Sequence, residues 1–207
     1  MRKRRQTRIW KLPLKNDNQG RTILPSLLIT TSRKTSNRVR SFSRDLCIVL
    51  SGSERFNRGG IGLQELSARI HTSGANGAVV ISMWKGNPNL LLFMNKTGRE
   101  ICTVRMESAK LRREVDSNNR RRVIGIAGVF IKSGSGKKTQ ELAEILGSLL
   151  NLETIELTDP SDAFVDQNLS MIWLEDLPSG KTLWTHYHSR DKFEIGPRIR
   201  VASIRRN

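Results

Sequence analysis

The sequence predicts an α/β protein of the α+β type, made of two similar halves from an internal duplication, each a mixed sheet with helices. Apolar strand candidates, amphipathic helix candidates and polar turns follow one another in the same order twice, over about residues 25–109 and about 123–207. A charged stretch at about 110–122 separates the two series and is predicted to be a linker. The 207 residues are enough to bury a substantial core.

In the first series, residues 27–31 form a short apolar run that predicts a buried strand. Thr35 and Ser36 are good helix N-caps, and a helix is expected from there to about Leu50. Its apolar residues share one face at helical spacing and predict the core side, while Arg33, Asn37, Arg40 and Arg44 share the opposite face. The core side is Val39, Phe42, Leu46, Val49 and Leu50.

A Gly-rich basic loop at 55–60 leads to a second helix that directs Leu63, Leu66 and Ile70 inward and ends near Gly74. Strands are then expected at 78–84, 90–95 and 101–106, joined by turns at 86–89 and 96–98.

The second series repeats this order, with a strand at 123–130, a basic turn at 132–138 and a helix at 139–150 that buries Leu142, Ile145, Leu146 and Leu149. A short strand at 151–157 and a turn or short helix from Asp159 come next. Strands at 170–175, 181–188 and 198–204 close the chain.

The net charge of +17, from 36 basic and 19 acidic residues, favours a polyanionic partner. Arginine, whose fork matches phosphate oxygens, outnumbers lysine by 24 to 12. Residues 1–60 carry a net charge of +12, whereas residues 123–207 carry −1. The charge is therefore concentrated in the first half. Residues 1–24 add a basic, aperiodic arm that is expected to be flexible.

Both series place a basic turn before a helix N-terminus, where unpaired N–H groups and the helix dipole favour an anion. Cations at this end oppose the dipole, so Arg33 with Lys34, and Lys137 with Lys138, are candidate phosphate contacts. A solvated charged turn is the alternative explanation for each pair.

No catalytic constellation is visible. The turn at 132–138 lacks the GxxxxGK[ST] pattern of a nucleotide-binding loop, because Lys138 stands where Ser or Thr is needed. His186 and His188 could begin a zinc site with Asp191 and Glu194, but the spacing favours surface histidines, and no metal or other cofactor is expected.

Other features concern location and packing. No apolar run approaches the length of a membrane span, and neither the basic N-terminus nor the cysteines suggest secretion. Cys47 and Cys102 are predicted to be buried in a reducing compartment. Aromatic residues are scarce, and Phe42 and Trp84 are expected in the core. This favours recognition of the backbone and shape of folded RNA over base-by-base stacking.

Residues 28–46, LITTSRKTSNRVRSFSRDL, followed by RFNRGG at 55–60 and the helix at 63–70, resemble the Brix domain. The resemblance extends from about residue 26 to 204, is strongest in the first half, and is to compact archaeal members. It implies ribosome biogenesis through binding of precursor ribosomal RNA, and two halves similar to the anticodon-binding domain of class IIa aminoacyl-tRNA synthetases. Its basic motif corresponds to Arg33, Lys34, Arg38, Arg40, Arg44, Arg55 and Arg58, and it brings no catalytic residues.

The sequence thus predicts a non-enzymatic ribosome biogenesis factor that binds precursor ribosomal RNA and assists its folding, processing and subunit assembly. Alternatives are a structural ribosomal protein and an RNA-processing enzyme. The second half is expected to face other assembly proteins, with no membrane or small-molecule partner, and the location is expected to be cytoplasmic, or nucleolar in a eukaryote. The predicted RNA-binding residues are Arg33, Lys34, Asn37, Arg38, Arg40, Arg44, Arg55, Asn57, Arg58, Gly59, Gly60, Lys137 and Lys138.

Overall fold

The computed structural model describes residues 15–16, 22–23, 27–118, 121–163 and 167–207. Lys15–Asn16 (β1) and Thr22–Ile23 (β2) pair as a small antiparallel ladder. The rest of the basic arm expected at 1–24 lies outside the described residues.

Apart from β4 and α3, which were not predicted, the elements of the first half agree in type and order with those expected. They are β3 (Leu28–Thr31), α1 (Asn37–Val49), β4 (Glu54–Arg55), α2 (Leu63–Ser73), β5 (Gly77–Trp84), β6 (Asn87–Asn95), β7 (Glu100–Lys110) and α3 (Arg112–Val115). The short strand β4 stands where only a loop was expected. The β5–β6 turn is tighter than predicted, because β6 already begins at Asn87.

The second half also follows the predicted order. It contains β8 (Gly125–Lys132), α4 (Lys137–Leu150), β9 (Thr154–Leu157), a 3₁₀ turn (Pro160–Asp162), β10 (Leu169–Asp176), β11 (Thr182–His188) and β12 (Arg198–Arg206). Helix α4 begins two residues earlier than expected, so Lys137 and Lys138 lie in its first turn.

Strands β3 to β12 form one ten-stranded mixed sheet in the order β4-β3-β5-β6-β7-β12-β11-β10-β8-β9. Strands β7 and β12 pair antiparallel at its centre. Moving outward from that pair, each half has two antiparallel pairings and then two parallel ones. The chain therefore has a mixed α/β fold with a large sheet and few helices, and its halves share one strand order.

One hydrophobic core runs across both halves on the face covered by α1 and α4. Phe42 of α1 and Leu142 of α4 are both fully buried in it, as are Val104 of β7 and Val201 of β12 from the central pair. Truncating a side chain such as Phe42 to alanine costs about 3–5 kcal/mol in a core of this kind. The apolar faces predicted for α1 and α4 are confirmed.

Two apolar side chains that were predicted to be inside are not. Trp84 is 65% exposed and Leu63 is 36% exposed. Each is the terminal residue of its element, Trp84 at the end of β5 and Leu63 at the start of α2, where the element has passed the edge of the core. Periodicity alone does not show where the core stops.

The two histidines of β11 were predicted at the surface and are buried instead. Trp184 Nε1 donates a hydrogen bond to His186 Nε2 over 3.2 Å, and His186 Nδ1 lies 3.1 Å from the carbonyl oxygen of Pro197. Burial lowers the pKa of His186 to about 4, so the ring is neutral and donates from Nδ1. His188 Nδ1 lies 2.9 Å from Asp191 Oδ1.

The stretch at 110–122, expected as a linker, has structure of its own over its described part. Leu111 is buried, and α3 follows it directly. Asp45 of α1 accepts a hydrogen bond from Arg112 N over 3.0 Å, and Glu114 pairs with Arg38. These contacts fasten α3 to α1. Residues 119–120 lie outside the described residues.

The two cysteines differ in burial. Cys102 of β7 is fully buried, and burial raises the pKa of its thiol to about 12, as expected for a packing residue. Cys47 of α1 is only half-buried, and its thiol donates to the carbonyl oxygen of Ser53.

Candidate nucleic-acid interface

A basic pocket of about 610 Å³ lies where β3, the N-terminal turns of α1 and the loop after β4 meet. We call this the basic pocket throughout. Arg55 is in register with Ile29 because β4 runs parallel to β3, and β3 ends at Thr31, just before the turn into α1. The lining residues are Thr31, Ser32, Arg33, Thr35, Asn37, Arg40, Ser41, Arg44, Arg55, Asn57, Arg58 and Gly59.

Five arginines converge on the pocket from three separate segments of the chain. Arg40 and Arg44 are one helical turn apart on the exposed side of α1, opposite the face that Phe42 buries. Arg33 comes from the turn before the helix, and Arg55 and Arg58 come from β4 and its loop. None of the described residues that line the pocket is acidic, so the arginine charges face one another across solvent.

Local hydrogen bonds orient three of these side chains. Arg58 Nε donates to the carbonyl oxygen of Ile61 over 2.6 Å, and Arg44 Nη2 donates to Ser41 Oγ over 3.2 Å. Arg55 Nη1 donates more weakly to Asn57 Oδ1, over 3.4 Å. These acceptors are uncharged, so they position the guanidinium groups without neutralising them.

The electrostatics of the pocket favour an anion. Burial lowers the pKa of Arg58, and the neighbouring positive charge of Arg33 lowers it further. Both effects mark a site where positive charge is held at a cost, and a bound anion relieves that cost. Phosphate oxygens suit this arrangement because the guanidinium fork matches them bidentately.

The start of α1 adds the positive end of its dipole to the same pocket. Ser36 caps the helix by accepting from Val39 N over 3.2 Å, and the first turn of α1 contains no acidic residue. Thr35 Oγ1 is buried and has no hydrogen-bond partner among the described residues. The helix therefore presents its positive dipole end beside five arginines.

Gly59 shapes the loop that carries Arg58. Its φ is +55°, in the left-handed region that glycine adopts without strain. A Cβ at this position would meet no atom within 4 Å, so the requirement comes from the backbone and not from crowding.

Eight of the thirteen predicted binding residues line the basic pocket: Arg33, Asn37, Arg40, Arg44, Arg55, Asn57, Arg58 and Gly59. Lys34 and Gly60 are exposed beside it and do not line it. The sequence analysis assigned no binding role to Thr31, Ser32, Thr35 or Ser41, although all four stand among the cations of the motif. That position among the cations is the signal that could have identified them.

Arg38, another predicted contact, is turned away from the basic pocket. Both terminal nitrogens of its guanidinium donate to Glu114, and Nη2 also donates to the carbonyl oxygen of Ala109 over 3.0 Å. The pKa of Glu114 is lowered chiefly by this hydrogen bond with Arg38. Arg38 therefore fastens α1 to the end of β7 and to α3.

The second predicted phosphate-binding site, at the start of α4, is occupied by side chains of the protein itself. Asp176 accepts from Gly136 N over 2.6 Å and from the hydroxyl of Thr139. Lys138 Nζ donates to the carbonyl oxygen of Gly180 over 2.7 Å. Of the predicted pair, only Lys137 is exposed. The helix end has a carboxylate where an anion would bind.

Two further observations bear on the chemistry. Among the described residues, no group of three or more His, Cys, Asp or Glu side chains could hold a metal ion. No helix in the described part of the chain is long and apolar enough to cross a membrane.

No family model matches the chain. A curated relative from Methanosarcina mazei, a probable Brix domain-containing ribosomal biogenesis protein, is 32% identical over 168 residues, covering 76% of this chain and 94% of that protein. A relative of the same description from Aeropyrum pernix is 40% identical over 63 residues, or 30% of this chain. That match spans only about a third of the relative's own length, 35%.

A crystal structure of a probable ribosomal biogenesis protein from Aeropyrum pernix K1 has the same fold, with a TM-score of 0.65 and 26% identity. The similarity covers 84% of this chain and 94% of that one. Because the Methanosarcina mazei relative is matched over almost its whole length, the chain belongs to the Brix domain-containing ribosomal biogenesis proteins.

Proposed function

We propose that this chain is a ribosome biogenesis factor that binds precursor ribosomal RNA through phosphate contacts in the basic pocket, without catalysing a reaction. The observation that carries the proposal is the convergence of five arginines on one pocket whose described lining residues include no acidic side chain. The homologues are described as ribosomal biogenesis proteins. Ribosome assembly proceeds on RNA, whose backbone is rich in phosphate, and this chemistry fits the pocket.

The rest of the proposal concerns organisation and partners. The two halves share one strand order and one pattern of pairing, which supports an internal duplication, with each half resembling an anticodon-binding domain. The near-neutral second half would contact other assembly proteins, and the chain would act in the cytoplasm. Sedimentation tests the role: an assembly factor is found with precursor particles and is absent from mature subunits, whereas a structural ribosomal protein stays in both.

The salt dependence of binding tests the RNA contacts directly. If each of five arginines neutralises one phosphate, the slope of log K against log salt should be about −3.5 to −4.5. We would measure it by fluorescence anisotropy with a labelled precursor ribosomal RNA fragment. Replacing two pocket arginines, Arg40→Gln with Arg44→Gln, should make the slope shallower by about 1.5.

A matched control removes the same charge elsewhere. Arg99 and Arg205 are exposed and lie outside the pocket. Arg99→Gln with Arg205→Gln should leave the slope nearly unchanged. A parent slope shallower than about −2, or equal losses from the two double variants, would mean that the basic pocket is not the RNA site.

A further inference from the structure

Trp84 presents a large aromatic surface to solvent at the end of β5, an inner strand of the sheet. Its side chain is 65% exposed, whereas Trp173 and Trp184 are each 1% exposed. Exposing an indole forgoes the stabilisation that its burial would give, and interfaces are enriched in such side chains. The surroundings of Trp84 in the fold bear on which partner it would contact.

Trp84 lies at the same end of the sheet as the basic pocket. Thr31, which lines the pocket, is in register with Ile81, and Ser32 N donates to the carbonyl oxygen of Ile81 over 2.8 Å. Trp84 is three residues further along β5, about 10 Å at the rise of a strand. Ser36, the N-cap of α1, donates through Oγ to the carbonyl oxygen of Gly86 over 2.6 Å. The hairpin that carries Trp84 is thus fastened to the helix that forms the pocket.

The turn after Trp84 holds it in a defined place. Trp84 pairs with Asn87, and the two residues between them, Lys85 and Gly86, have φ values of +47° and +81°. Positive φ at both central residues is the pattern of a tight type I′ hairpin turn. The indole is therefore presented by a short, hydrogen-bonded hairpin, and an exposed cation, Lys85, lies next to it.

We propose that Trp84 stacks on an unpaired base of the RNA whose phosphates occupy the basic pocket, an inference that rests on the proposed function. Base stacking on an aromatic ring is tolerant of sequence, and it requires a nucleotide that is not held in a duplex. The site would then recognise a single-stranded nucleotide next to backbone held by arginines. A protein partner on Trp84 is the competing explanation, and the test separates the two.

The decisive comparison uses two labelled RNA oligonucleotides of equal length, one unstructured and one without bases. Both offer the same phosphates, and only the first can stack. The parent should bind the oligonucleotide with bases at least about fivefold more tightly, and Trp84→Ala should abolish that preference. Trp84→Phe, which retains a ring, should keep part of it. Arg40→Gln with Arg44→Gln should weaken both oligonucleotides and leave their ratio unchanged.

A fluorescence measurement gives an independent readout. In a Trp10→Phe background, the exposed Trp84 should dominate quenching by acrylamide, since Trp173 and Trp184 are buried. Binding of the oligonucleotide with bases should protect Trp84 from the quencher, and binding of the abasic one should not. Unchanged melting temperature in Trp84→Ala would establish that the fold is intact.

The outcomes distinguish the two proposals. If the pocket arginines matter and Trp84→Ala retains the preference for bases, the stacking role is wrong and the proposed function stands. If the parent binds neither oligonucleotide, both proposals fail. Loss of a protein contact in Trp84→Ala with unchanged binding to both oligonucleotides would assign the indole to a protein partner and overturn the stacking.

Discussion

Helices α1 and α4 occupy equivalent places in the two halves, and their N-termini have opposite surroundings. The start of α1 opens into a pocket with five arginines. The start of α4 is closed by the carboxylate of Asp176, and Lys138 is bonded to backbone carbonyls. A strand, a basic turn and a helix therefore provide the framework for anion binding. The side chains around the helix N-terminus decide whether an anion can reach it.

The same contrast extends to polar groups elsewhere. In the first half, cations that could pair with carboxylates remain in solvent around the pocket. In the second half, polar side chains satisfy one another inside, as Trp184, His186 and the carbonyl of Pro197 do. The pocket arginines of the first half therefore remain available to a ligand, whereas the polar groups named in the second half form hydrogen bonds with one another.

Charge reversal in the basic pocket should give the largest effect. Changing Arg33, Arg40 and Arg44 to glutamate alters the local charge by six units, and RNA binding should weaken at least a hundredfold, about 2.7 kcal/mol. The core should survive, because these side chains are exposed. Anisotropy titration at fixed salt measures the loss. Lys137→Glu, a reversal of two charge units at the start of α4, is the comparison and should change affinity less than threefold. A larger loss from Lys137→Glu would mean that RNA contacts both helix ends.

Acidification should destabilise the folded protein through His186 of the second half. The ordinary pKa of 6.5 is lowered to about 4 by burial, so between these values the unfolded chain binds a proton that the folded chain excludes. The contribution of neutral His186 to the free energy of unfolding is therefore fully present above pH 6.5. It is lost as the pH falls toward 4, and the loss is about 2 kcal/mol at pH 5.

Urea denaturation at several pH values measures this loss. In His186→Asn the pH dependence between 6.5 and 5 should flatten, whatever the absolute stability of the variant. His71→Asn, at an exposed site on α2, should retain the slope of the parent. Equal slopes in the parent and His186→Asn would show that another group causes the acid sensitivity.

Removing the carboxylate that closes α4 should have a smaller effect. Asp176→Ala leaves Gly136 N without its acceptor and leaves the hydroxyl of Thr139 with only Thr182 Oγ1 as a partner, so the free energy of unfolding should fall by about 1–2 kcal/mol. Asp176→Asn retains an acceptor oxygen and should lose less. RNA affinity should change little in both. A gain of tenfold or more in Asp176→Ala would reveal a second phosphate site that the carboxylate had blocked.

Local patterns were sufficient to predict most of the fold. Spacing within a short segment accounts for the apolar faces of α1 and α4 and for the cap at Ser36. It also accounts for the order of the strands along the chain. The arginines on the outer side of α1 were located for the same reason, since a helix that buries Phe42 must expose Arg40 and Arg44.

The remaining features depend on residues that are distant in sequence. Arg38 is removed from the predicted site by Glu114, 76 residues away, and the start of α4 is closed by Asp176, 40 residues from Gly136. The burial of His186 depends on packing against the 195–197 segment. No local pattern indicates which of several exposed carboxylates will reach a given cation or helix end.

The sheet also sets a distance. From edge strand β4 to edge strand β9 there are nine strand-to-strand steps, or roughly 40 Å at about 4.8 Å each. Because β7 and β12 pair at the centre and share one core, the two ends cannot move apart freely. RNA held beside β4 would therefore stay at a fixed distance of this order from anything bound at the β9 edge.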